Sequence, residues 1–370
     1  MIKMPAPPAI ILGTRPEIIK MAPIAAELGH LNLPFRLIHT GQHYSYNMSQ
    51  VFIKELGMPP ISNFLNIGSG SQSQQLAKVL VGLEKIFLGS PPSAILVEGD
   101  TNTVLAGALS GSKLSIPVVH IEAGLRSNDF RMPEEYNRRV TDHLSSLLLA
   151  PTRNNAKTLR DEHVAGKIFV TGNTVIDACL RNLPIAQKKS FITDQLGLEK
   201  ESYALATIHR AENVDDAKTL SNFIDIFESS PLPVILPLHP RTVKNAKRFG
   251  LWERMTHGTN IGVIDPVGYW DFLVLMANCG FILTDSGGIQ EEATAPNIRR
   301  KCFVLRTSTE RQEAVDTGFA ELVGVNPKKV VKRIWDWIEN DWSVPNKKSP
   351  FGDGTSAEKT VEILQNAGYC

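Results

Sequence analysis

The sequence contains few cysteines, and their positions suggest neither a disulfide framework nor a zinc site. The four cysteines are scattered at positions 179, 279, 302 and 370, with no Cys-x-x-Cys pair and no histidine cluster at zinc spacing. Such isolated thiols are typical of proteins from a reducing compartment. We therefore expect a cytoplasmic protein without a structural metal.

Long apolar runs and an excess of charge of one sign are also missing. No run approaches the roughly 20 apolar residues that a membrane-spanning helix needs. The N-terminal segment MIKMPAPPAIILGTRPE interrupts its short apolar run with proline and charge, which is unlike a signal peptide. The formal net charge is +1, so neither nucleic acid nor a membrane is expected as a partner. Any anionic ligand would have to be bound at a local site.

Short apolar strands alternate with helical patterns along most of the 370 residues. This alternation is typical of parallel sheets covered by helices on both faces, and the length suits two domains. The predicted strands are 9–13, 35–40, 94–99, 117–122 and 147–150, then 204–209, 233–238, 260–264, 280–284 and 302–306. The predicted helices are 16–28, 46–56, 72–88, 102–113 and 134–145, then 216–229, 241–249, 268–278, 287–294, 327–339 and 356–367.

The fold class is therefore α/β, with two Rossmann-like, doubly wound domains. We predict an N-terminal domain at 1–172 and a C-terminal domain at 173–352, with a boundary region near 171–185. A break rich in Gly, Pro and Ser precedes the last helix, so that residues 353–370 are expected to cross back to the first domain.

The glycine fingerprint of a nicotinamide-binding turn is missing. The turn after the first strand is GTRPEIIK rather than G-x-G-x-x-G, and GSGSQS at 68–73 lacks the third glycine. We therefore expect no nicotinamide cofactor. The first turn instead places Arg15 and Lys20 around a helix that starts with Pro16, which suits an anionic ligand, although two cations can also simply solvate a helix.

Carboxylates follow two strands in the first half of the chain. Asp100 precedes a helix in VEGDTNT, where N-capping would explain it equally well. The stretch HIEAGLRSNDFRMPEEYNRR at 120–139 carries Glu122 at a strand end and Glu134 at the next helix start. This stretch is either a solvated loop or a catalytic loop in which Arg126 and Asp129 order the chain.

The second half of the chain also places polar and charged residues at the ends of predicted strands. In TDSGGIQEEA the backbone of Ser286, Gly287 and Gly288 enters a helix and could approach phosphate oxygens closely. Two further charged or polar residues stand at strand ends, His209 in HRAEN and Arg311 in TERQEA. A lone histidine is more often structural than catalytic, and acids in a first helical turn also serve the helix dipole. Because all these strand ends meet one edge of each sheet, their combination favours a site over coincidence.

Jointly these motifs resemble the non-hydrolysing UDP-N-acetylglucosamine 2-epimerases. The matching stretches are GTRPEIIKMAP, GDTNT, HIEAGLRS with PEEYNR, HRAEN, TDSGGIQEEA and TERQEAV, in family order from 13 to 315. The resemblance implies a glycosyltransferase-B arrangement of the two domains with the active site in the cleft. It implies an isomerase without cofactor that interconverts UDP-GlcNAc and UDP-ManNAc, through elimination of UDP to 2-acetamidoglucal and re-addition, and supplies ManNAc-type sugars for surface glycans.

The resemblance also implies roles for individual residues. Asp100, Glu122 and Glu134 would be the acid/base carboxylates, and His209 would neutralise or protonate the diphosphate side. The residues implied to hold UDP are Arg15, Lys20, Arg311 and the backbone of Ser286, Gly287 and Gly288, with Glu292 on the ribose and Phe272 on the uracil. As an apolar helical residue, Phe272 could equally belong to the core. The family further implies a homodimer and a second UDP-GlcNAc as effector, with Gln42 and His43 as candidate contacts.

Two departures from the family pattern keep alternatives open. Arg131-Met132-Pro133 replaces the common aromatic-Pro element and resembles the branch that includes epimerases of UDP-diacetamido-uronic acids, whose C6 carboxylate could meet Arg131. NIRRK replaces the usual Gly-Lys-Pro before the strand at 302, which we interpret as a surface change. A hydrolysing 2-epimerase, a retaining glycosyltransferase of the same fold and a nucleotide-sugar sensor are further alternatives.

Overall fold

The computed structural model describes residues 6–41, 52–68 and 70–370. The chain forms two compact units: unit 1 comprises Met1–Ala178 and Phe351–Cys370, and unit 2 comprises Cys179–Pro350. The division falls within a helix, Thr174–Lys189, so the predicted boundary region near 171–185 is largely helical.

Unit 1 is built around a seven-stranded parallel sheet. Its elements are β1 Ala9–Leu12, α1 Arg15–His30, β2 Arg36–His39, β3 Asn63–Phe64, α2 Gln72–Gly89, β4 Ile95–Glu98, α3 Asn102–Leu114, β5 Val118–Ile121, α4 Pro133–Leu144, β6 Leu147–Ala150, α5 Arg153–Asp161, β7 Lys167–Val170 and α6 Thr174–Lys189, which continues into unit 2. The strand order is β3-β2-β1-β4-β5-β6-β7, and every pair is parallel. The central strands are buried throughout because helices cover both faces of the sheet.

Unit 2 repeats this plan with six parallel strands. Its elements are α7 Ile192–Gln195, β8 Ala204–Thr207, α8 Ala211–Val214, α9 Ala217–Glu228, β9 Val234–Pro237, α10 Pro240–Arg248, α11 Trp252–His257, β10 Ile261–Ile264, α12 Tyr269–Asn278, β11 Phe281–Thr284, α13 Gly287–Glu292, β12 Cys302–Val304, α14 Gln312–Asp316, β13 Ala320–Leu322 and α15 Pro327–Asp341. The order is β10-β9-β8-β11-β12-β13. Both units are thus Rossmann-like.

The last helix, α16 Ser356–Asn366, belongs to unit 1 and contacts α1. Its start is held by Asp177, whose carboxylate accepts hydrogen bonds from the backbone nitrogens of Ser356 at 3.3 Å and Ala357 at 2.9 Å. These two bonds satisfy amides that the helix itself leaves without a partner.

The strand order places one switch point in each unit, where the chain changes direction across the sheet. In unit 1 this point lies between β1 and β4, and in unit 2 between β8 and β11. Ligands of doubly wound sheets bind beyond the carboxyl ends of the strands at such points. The residues that follow these four strands are therefore the first place to look for chemistry.

The ten predicted strands are all present, and three short ones were missed. β3 has two residues and β13 has three, while β7 lies at the sheet edge with exposed ends, so none carries a clear apolar run. Six helices of the described residues were also missed. The sequence RNNAKTLRD of α5 is almost entirely polar, α6 carries Pro184 in its interior, and α7, α8, α11 and α14 have only four to six residues. The predicted helix at 46–56 lies mostly outside the described residues.

In the glycine- and serine-rich part of the chain before α2, Ser71 caps the helix that begins at Gln72. The side chain of Ser71 accepts a hydrogen bond from the backbone of Gln74, and Gln74 accepts one from the backbone of Ser71. This capping box explains the serine without a nucleotide. Within the described part of the chain, no helix has both the length and the apolar character to cross a membrane.

Candidate active site

The turn after β1 is organised around a buried carboxylate, Glu17, which the sequence did not indicate. Glu17 accepts hydrogen bonds from the backbone of Gly13 at 2.5 Å and from the hydroxyls of Thr14 at 3.0 Å and Thr101 at 2.7 Å. Burial raises the pKa of Glu17 to about 7, although these hydrogen bonds oppose the shift. A Cβ at Gly13 would lie 2.2 Å from the hydroxyl of Thr103, so only glycine fits this close approach.

Lys20 lies between two carboxylates at adjacent strand ends. Its ammonium is 3.1 Å from Glu98, the last residue of β4, and it donates a short hydrogen bond to Glu122, which follows β5. All three side chains are buried. We predicted that Lys20 would hold the diphosphate of UDP; in this structure its charge is directed at the acids of unit 1.

The backbone of Glu122 is strained. Its φ of 70° lies in the left-handed region, which costs a non-glycine residue about 1–3 kcal/mol. The carboxylate is fixed on a second side by Asn173, whose side-chain amide donates to it at 2.8 Å. A buried acid in a strained conformation with two fixed donors is well positioned for chemistry, and such strain concentrates at functional sites.

Asp100 does not cap the helix that follows it. Thr101 does so, because its hydroxyl accepts hydrogen bonds from the amides of Thr103 at 3.1 Å and Val104 at 3.5 Å. The carboxylate of Asp100 instead accepts two hydrogen bonds from the guanidinium of Arg138, at 2.7 and 3.0 Å. It keeps 27% of its side-chain surface exposed, so a ligand can still reach it.

The charged stretch 120–139 is a folded loop that leads into α4. Glu135 is fully buried and accepts hydrogen bonds from the backbone and hydroxyl of Ser127, and from Arg138 at 2.8 Å. Burial opposes ionisation of Glu135, but the Ser127 hydrogen bonds and the Arg138 charge outweigh it and hold its pKa below the usual value. Glu134, by contrast, is only half-buried in the first turn of α4. The loop therefore uses Glu135 for its own structure.

The arginine and aspartate expected to order the loop do form local ion pairs. Arg126 pairs with Asp142 and Glu162, both at 2.7 Å, and Asp129 pairs with Arg131 at 2.7 Å. His120, earlier on β5, is structural: its ring lies 2.7 Å from Asp142 and 2.9 Å from the carbonyl of Gly99.

In unit 2, the end of β8 is tied to the end of β11 by Asp285. This buried carboxylate accepts hydrogen bonds from the backbone nitrogens of His209 and Arg210 and from the side chain of Asn213, all at 3.0–3.2 Å. The imidazole of His209 lies 3.4 Å from the same carboxylate and is 39% exposed. His209 is thus oriented by Asp285 while its ring stays accessible.

Three guanidinium groups of unit 2 share two buried carboxylates. Glu310 lies 2.9 Å from Arg210, 2.9 Å from Arg306 and 3.3 Å from Arg311. Arg311 also donates to Glu291 at 3.0 Å. Arg210 also lies 3.6 Å from Glu212, so three guanidinium groups face three carboxylates, and the N–H donors of this arginine set are groups that could bind an anion. Arg311 therefore has two carboxylate partners of its own, which the sequence did not indicate.

The Ser-Gly-Gly turn leads into α13, which has six residues. The hydroxyl of Ser286 makes no capping hydrogen bond. A Cβ at Gly287 would lie 2.8 Å from Glu310, so this glycine lets the arginine set approach the turn. A Cβ at Gly288 would meet nothing within 4 Å, which leaves space beside the backbone there.

The residues predicted for ribose and uracil lie on two neighbouring stretches of unit 2. Glu292 is buried beside the hydroxyl of Tyr269, where burial, Cys179 and Glu292 together raise the pKa of Tyr269 well above its usual value. Phe272 is half-buried on α12 and is not among the residues of the main core cluster of unit 2. A partly open phenyl ring is compatible with stacking on a base, which stays a prediction.

The predicted residues therefore divide between the units. Unit 1 carries Arg15, Lys20, Asp100, Glu122 and Glu134, and unit 2 carries His209, Phe272, Ser286, Gly287, Gly288, Glu292 and Arg311. The guanidinium of Arg15 lies 4.1 Å above the ring of Phe52. Gln42 and His43 lie outside the described residues. Among residues 6–41, 52–68 and 70–370, no group of three His, Cys, Asp or Glu side chains could hold a metal ion.

Comparison with known proteins identifies the family. The family model for UDP-N-acetylglucosamine 2-epimerase matches residues 27–365. The UDP-N-acetylglucosamine 2-epimerase of Methanocaldococcus jannaschii is 46% identical, over 98% of this chain and 99% of that protein. A crystal structure of the M. jannaschii enzyme in complex with UDP-GlcNAc and UDP superimposes with a TM-score of 0.91, over 97% of this chain and 99% of that one.

A second kind of relative has a different substrate name. The UDP-2,3-diacetamido-2,3-dideoxy-D-glucuronate 2-epimerase of Pseudomonas aeruginosa is 40% identical, over 96% of this chain and 98% of that protein. Both relatives are epimerases and both match nearly end to end, as does the family model. The chain therefore belongs to the non-hydrolysing UDP-N-acetylglucosamine 2-epimerase family, a family of isomerases.

Proposed function

We propose that this enzyme epimerises UDP-GlcNAc and UDP-ManNAc reversibly at C2, by eliminating UDP and adding it back. The C2 proton of the substrate is not acidic, since no carbonyl neighbours it. Breaking the C1–O bond to UDP creates an oxocarbenium-like carbon that acidifies this proton. Its removal leaves 2-acetamidoglucal and UDP, and re-addition with protonation on the other face inverts C2.

The observation that best supports this proposal is the environment of Glu122. The reaction needs a group that takes a proton from carbon and holds its own charge inside a site protected from water. Glu122 is buried, strained at φ 70° and held by Lys20 and Asn173. Asp100 and Glu134, which are less buried, are the partner acids that would handle protons on the other face and at the departing oxygen.

We assign the nucleotide to unit 2. The guanidinium donors of the arginine set would stabilise the diphosphate that leaves in the elimination step. His209 would act on the same group, because its ring is oriented by Asp285 and accessible. The Ser286 hydroxyl, which does not cap α13, and the open space beside Gly288 would accommodate phosphate oxygens.

The second candidate substrate is a UDP-diacetamido-uronic acid, supported by the P. aeruginosa relative. Its C6 carboxylate would need a cation, and Arg131 is the residue that the sequence offers. The side chain of Arg131 is 86% exposed and its guanidinium is paired with Asp129 at 2.7 Å. A C6 carboxylate would have to displace Asp129, so UDP-GlcNAc remains the first choice.

Product analysis tests the proposal and separates its alternatives. The enzyme is incubated with UDP-GlcNAc, and the products are identified by ¹H and ³¹P NMR. We expect a stable mixture of UDP-GlcNAc and UDP-ManNAc with only traces of free UDP. Accumulation of free ManNAc and UDP would establish a hydrolysing enzyme. Turnover of only the diacetamido-uronic acid would establish the second substrate.

Three further aspects belong to the same proposal. The product would supply ManNAc-type sugars for surface glycans. A homodimer and an effector site for a second UDP-GlcNAc are expected from the family. Measuring the mass of the protein in solution by light scattering, and its rate as a function of UDP-GlcNAc concentration, tests both: a monomer with hyperbolic kinetics would contradict them.

A further inference from the structure

Glu98 is a buried acid that none of the roles above uses. It ends β4, and its neighbour Val97 belongs to the apolar core on one face of the sheet. Since side chains alternate along a strand, Glu98 leaves that core and meets Lys20 at 3.1 Å. On its other side, Lys20 is bonded to Glu122. One ammonium therefore serves two carboxylates.

The charges in this group of three do not balance if both acids are ionised. Lys20 contributes one positive charge, whereas Glu98 and Glu122 would contribute two negative ones in a region where all three side chains are buried. An unbalanced buried charge is costly, and a group shifts its pKa to avoid it. Two acids that share one counter-ion titrate as a linked pair, so the ionisation of one favours the protonated form of the other.

We propose that Glu98 is a positioning residue that decides whether Lys20 is committed to Glu122. This inference rests on the proposed function of Glu122. With a proton on Glu98, Lys20 is committed to an ionised Glu122, which is then held in place to accept a proton. With Glu98 ionised, the two acids compete for Lys20, and Glu122 loses part of the contact that positions it.

The groups that face Glu98 support this assignment. From α1 they are Lys20 and Glu17, and from the residues after β5 the group is Glu122. Burial raises the pKa of Glu98 well above its usual value; Lys20 opposes this shift, and the like charges of Glu122 and Glu17 add to it. Glu98 therefore keeps its proton to a higher pH than an ordinary glutamate, and its ionisation belongs to the alkaline limb of the profile.

The test is the pH profile of kcat and KM for Glu98→Gln beside the wild type. Glutamine keeps the shape of protonated Glu98 but cannot ionise. We expect the variant to keep wild-type activity within about threefold at neutral pH, with an unchanged KM, and to extend its alkaline limb by at least about one pH unit. Glu98→Asp should retain an alkaline limb. The exposed change Glu84→Gln is the matched control and should leave the profile unmoved.

A profile of Glu98→Gln that coincides with the wild type, or a uniform loss of kcat at every pH, would overturn the proposal. A melting temperature measured for each variant shows whether a uniform loss comes from unfolding. A second measurement does not depend on catalysis: the ¹³Cδ resonance of Glu98, assigned through Glu98→Gln, should titrate at lower pH in Glu122→Gln than in the wild type, because the like charge of Glu122 is removed. If no epimerase activity is found but this titration moves, the proposed function fails while the coupling stands; an unmoved titration refutes the coupling itself.

Discussion

The two units share one strand order and differ in the charge that they place at its switch point. In unit 1, Glu98 and Glu122 at the strand ends meet one lysine, and the charge of Glu17 from α1 acts on Glu98. In unit 2, three arginines lie among the carboxylates of Glu212, Glu291 and Glu310. The sheet edge of unit 1 thus gathers acids around Lys20, whereas that of unit 2 gathers guanidinium groups that are matched by carboxylates.

This difference teaches that the fold only supplies the place, and that the residues at the strand ends supply the chemistry. Burial raises the pKa of a carboxylic acid, as it does for Glu17, whose pKa is about 7. Buried acids with such raised pKa values suit proton transfer near neutral pH. A set of guanidiniums that never lose their charge suits a permanent anion. We therefore expect substitutions in unit 1 to change rates and substitutions in unit 2 to change affinity for UDP.

The largest expected effect is that of Glu122→Gln. The variant keeps the shape of the side chain and loses the group that exchanges a proton, so kcat should fall by about 10²–10⁴-fold. The Kd for UDP, measured by calorimetry, should stay within about twofold of the wild type. Glu84→Gln, an exposed change in the same unit, should behave as the wild type. Near-normal turnover of Glu122→Gln would remove the catalytic role from this residue.

Glu17→Gln should change the pH dependence of stability. The folded state keeps a proton on Glu17 up to about pH 7, whereas the unfolded state releases it near the ordinary glutamate pKa of 4.5. Wild-type stability due to this group is therefore full below that lower pKa and is lost as the pH rises to about 7. At about 1.4 kcal/mol per pH unit, the loss relative to Glu17→Gln is on the order of 3 kcal/mol.

Urea unfolding of both proteins at about pH 5 and pH 8 measures this loss. The difference in unfolding free energy between wild type and variant should shift against the wild type at the higher pH. A difference that is the same at both pH values would show that Glu17 titrates normally.

Arg311→Ala tests the other side of the comparison. Removing one charged donor from the arginine set should weaken UDP binding by roughly 10–100-fold, corresponding to the 1.5–3 kcal/mol of a charged hydrogen bond. The melting temperature should also fall, because Glu291 loses its partner. The control is Arg254→Ala, an exposed arginine of the same unit paired with Asp225 and Glu228. Unchanged UDP affinity in Arg311→Ala would exclude this residue from the nucleotide site.

The smallest effect is expected for Arg131→Ala. An exposed ion pair such as Arg131–Asp129 contributes about 0–1 kcal/mol, and UDP-GlcNAc has no C6 carboxylate. kcat/KM with UDP-GlcNAc should therefore change by less than about twofold. A loss of more than about tenfold that appears only with a UDP-diacetamido-uronic acid would instead favour that substrate.

The fold was predictable because the central strands are continuous apolar runs, and parallel strands must bring their carboxyl ends to one edge. This reasoning located Asp100, Glu122 and His209 at strand ends without any contact being known. It failed for short or polar elements such as β3 and α5, whose packing depends on neighbours distant in sequence.

The partners of the charged residues could not be predicted. Glu98 looks like the end of a strand and Glu17 like an ordinary helix acid, because the sequence does not show that Glu98 meets Lys20 or that the charge of Glu17 acts on Glu98. Likewise, the sequence indicated no carboxylate partner for Arg311, whereas in the structure its guanidinium donates a hydrogen bond to Glu291, 20 positions away. The sequence around Asp100 correctly indicated a capped helix start, but the capping residue is the neighbouring Thr101.

Solvent exchange at C2 tests the central claim most directly, that the acids of unit 1 move a proton from carbon. The wild-type enzyme is incubated with UDP-GlcNAc in D₂O, and the UDP-ManNAc formed is examined by ¹H NMR and mass spectrometry. We predict that the product carries deuterium at C2, because the proton leaves to a side chain and another returns to the opposite face. A product that retains its original C2 hydrogen throughout would contradict elimination and re-addition, and with it the role assigned to Glu122.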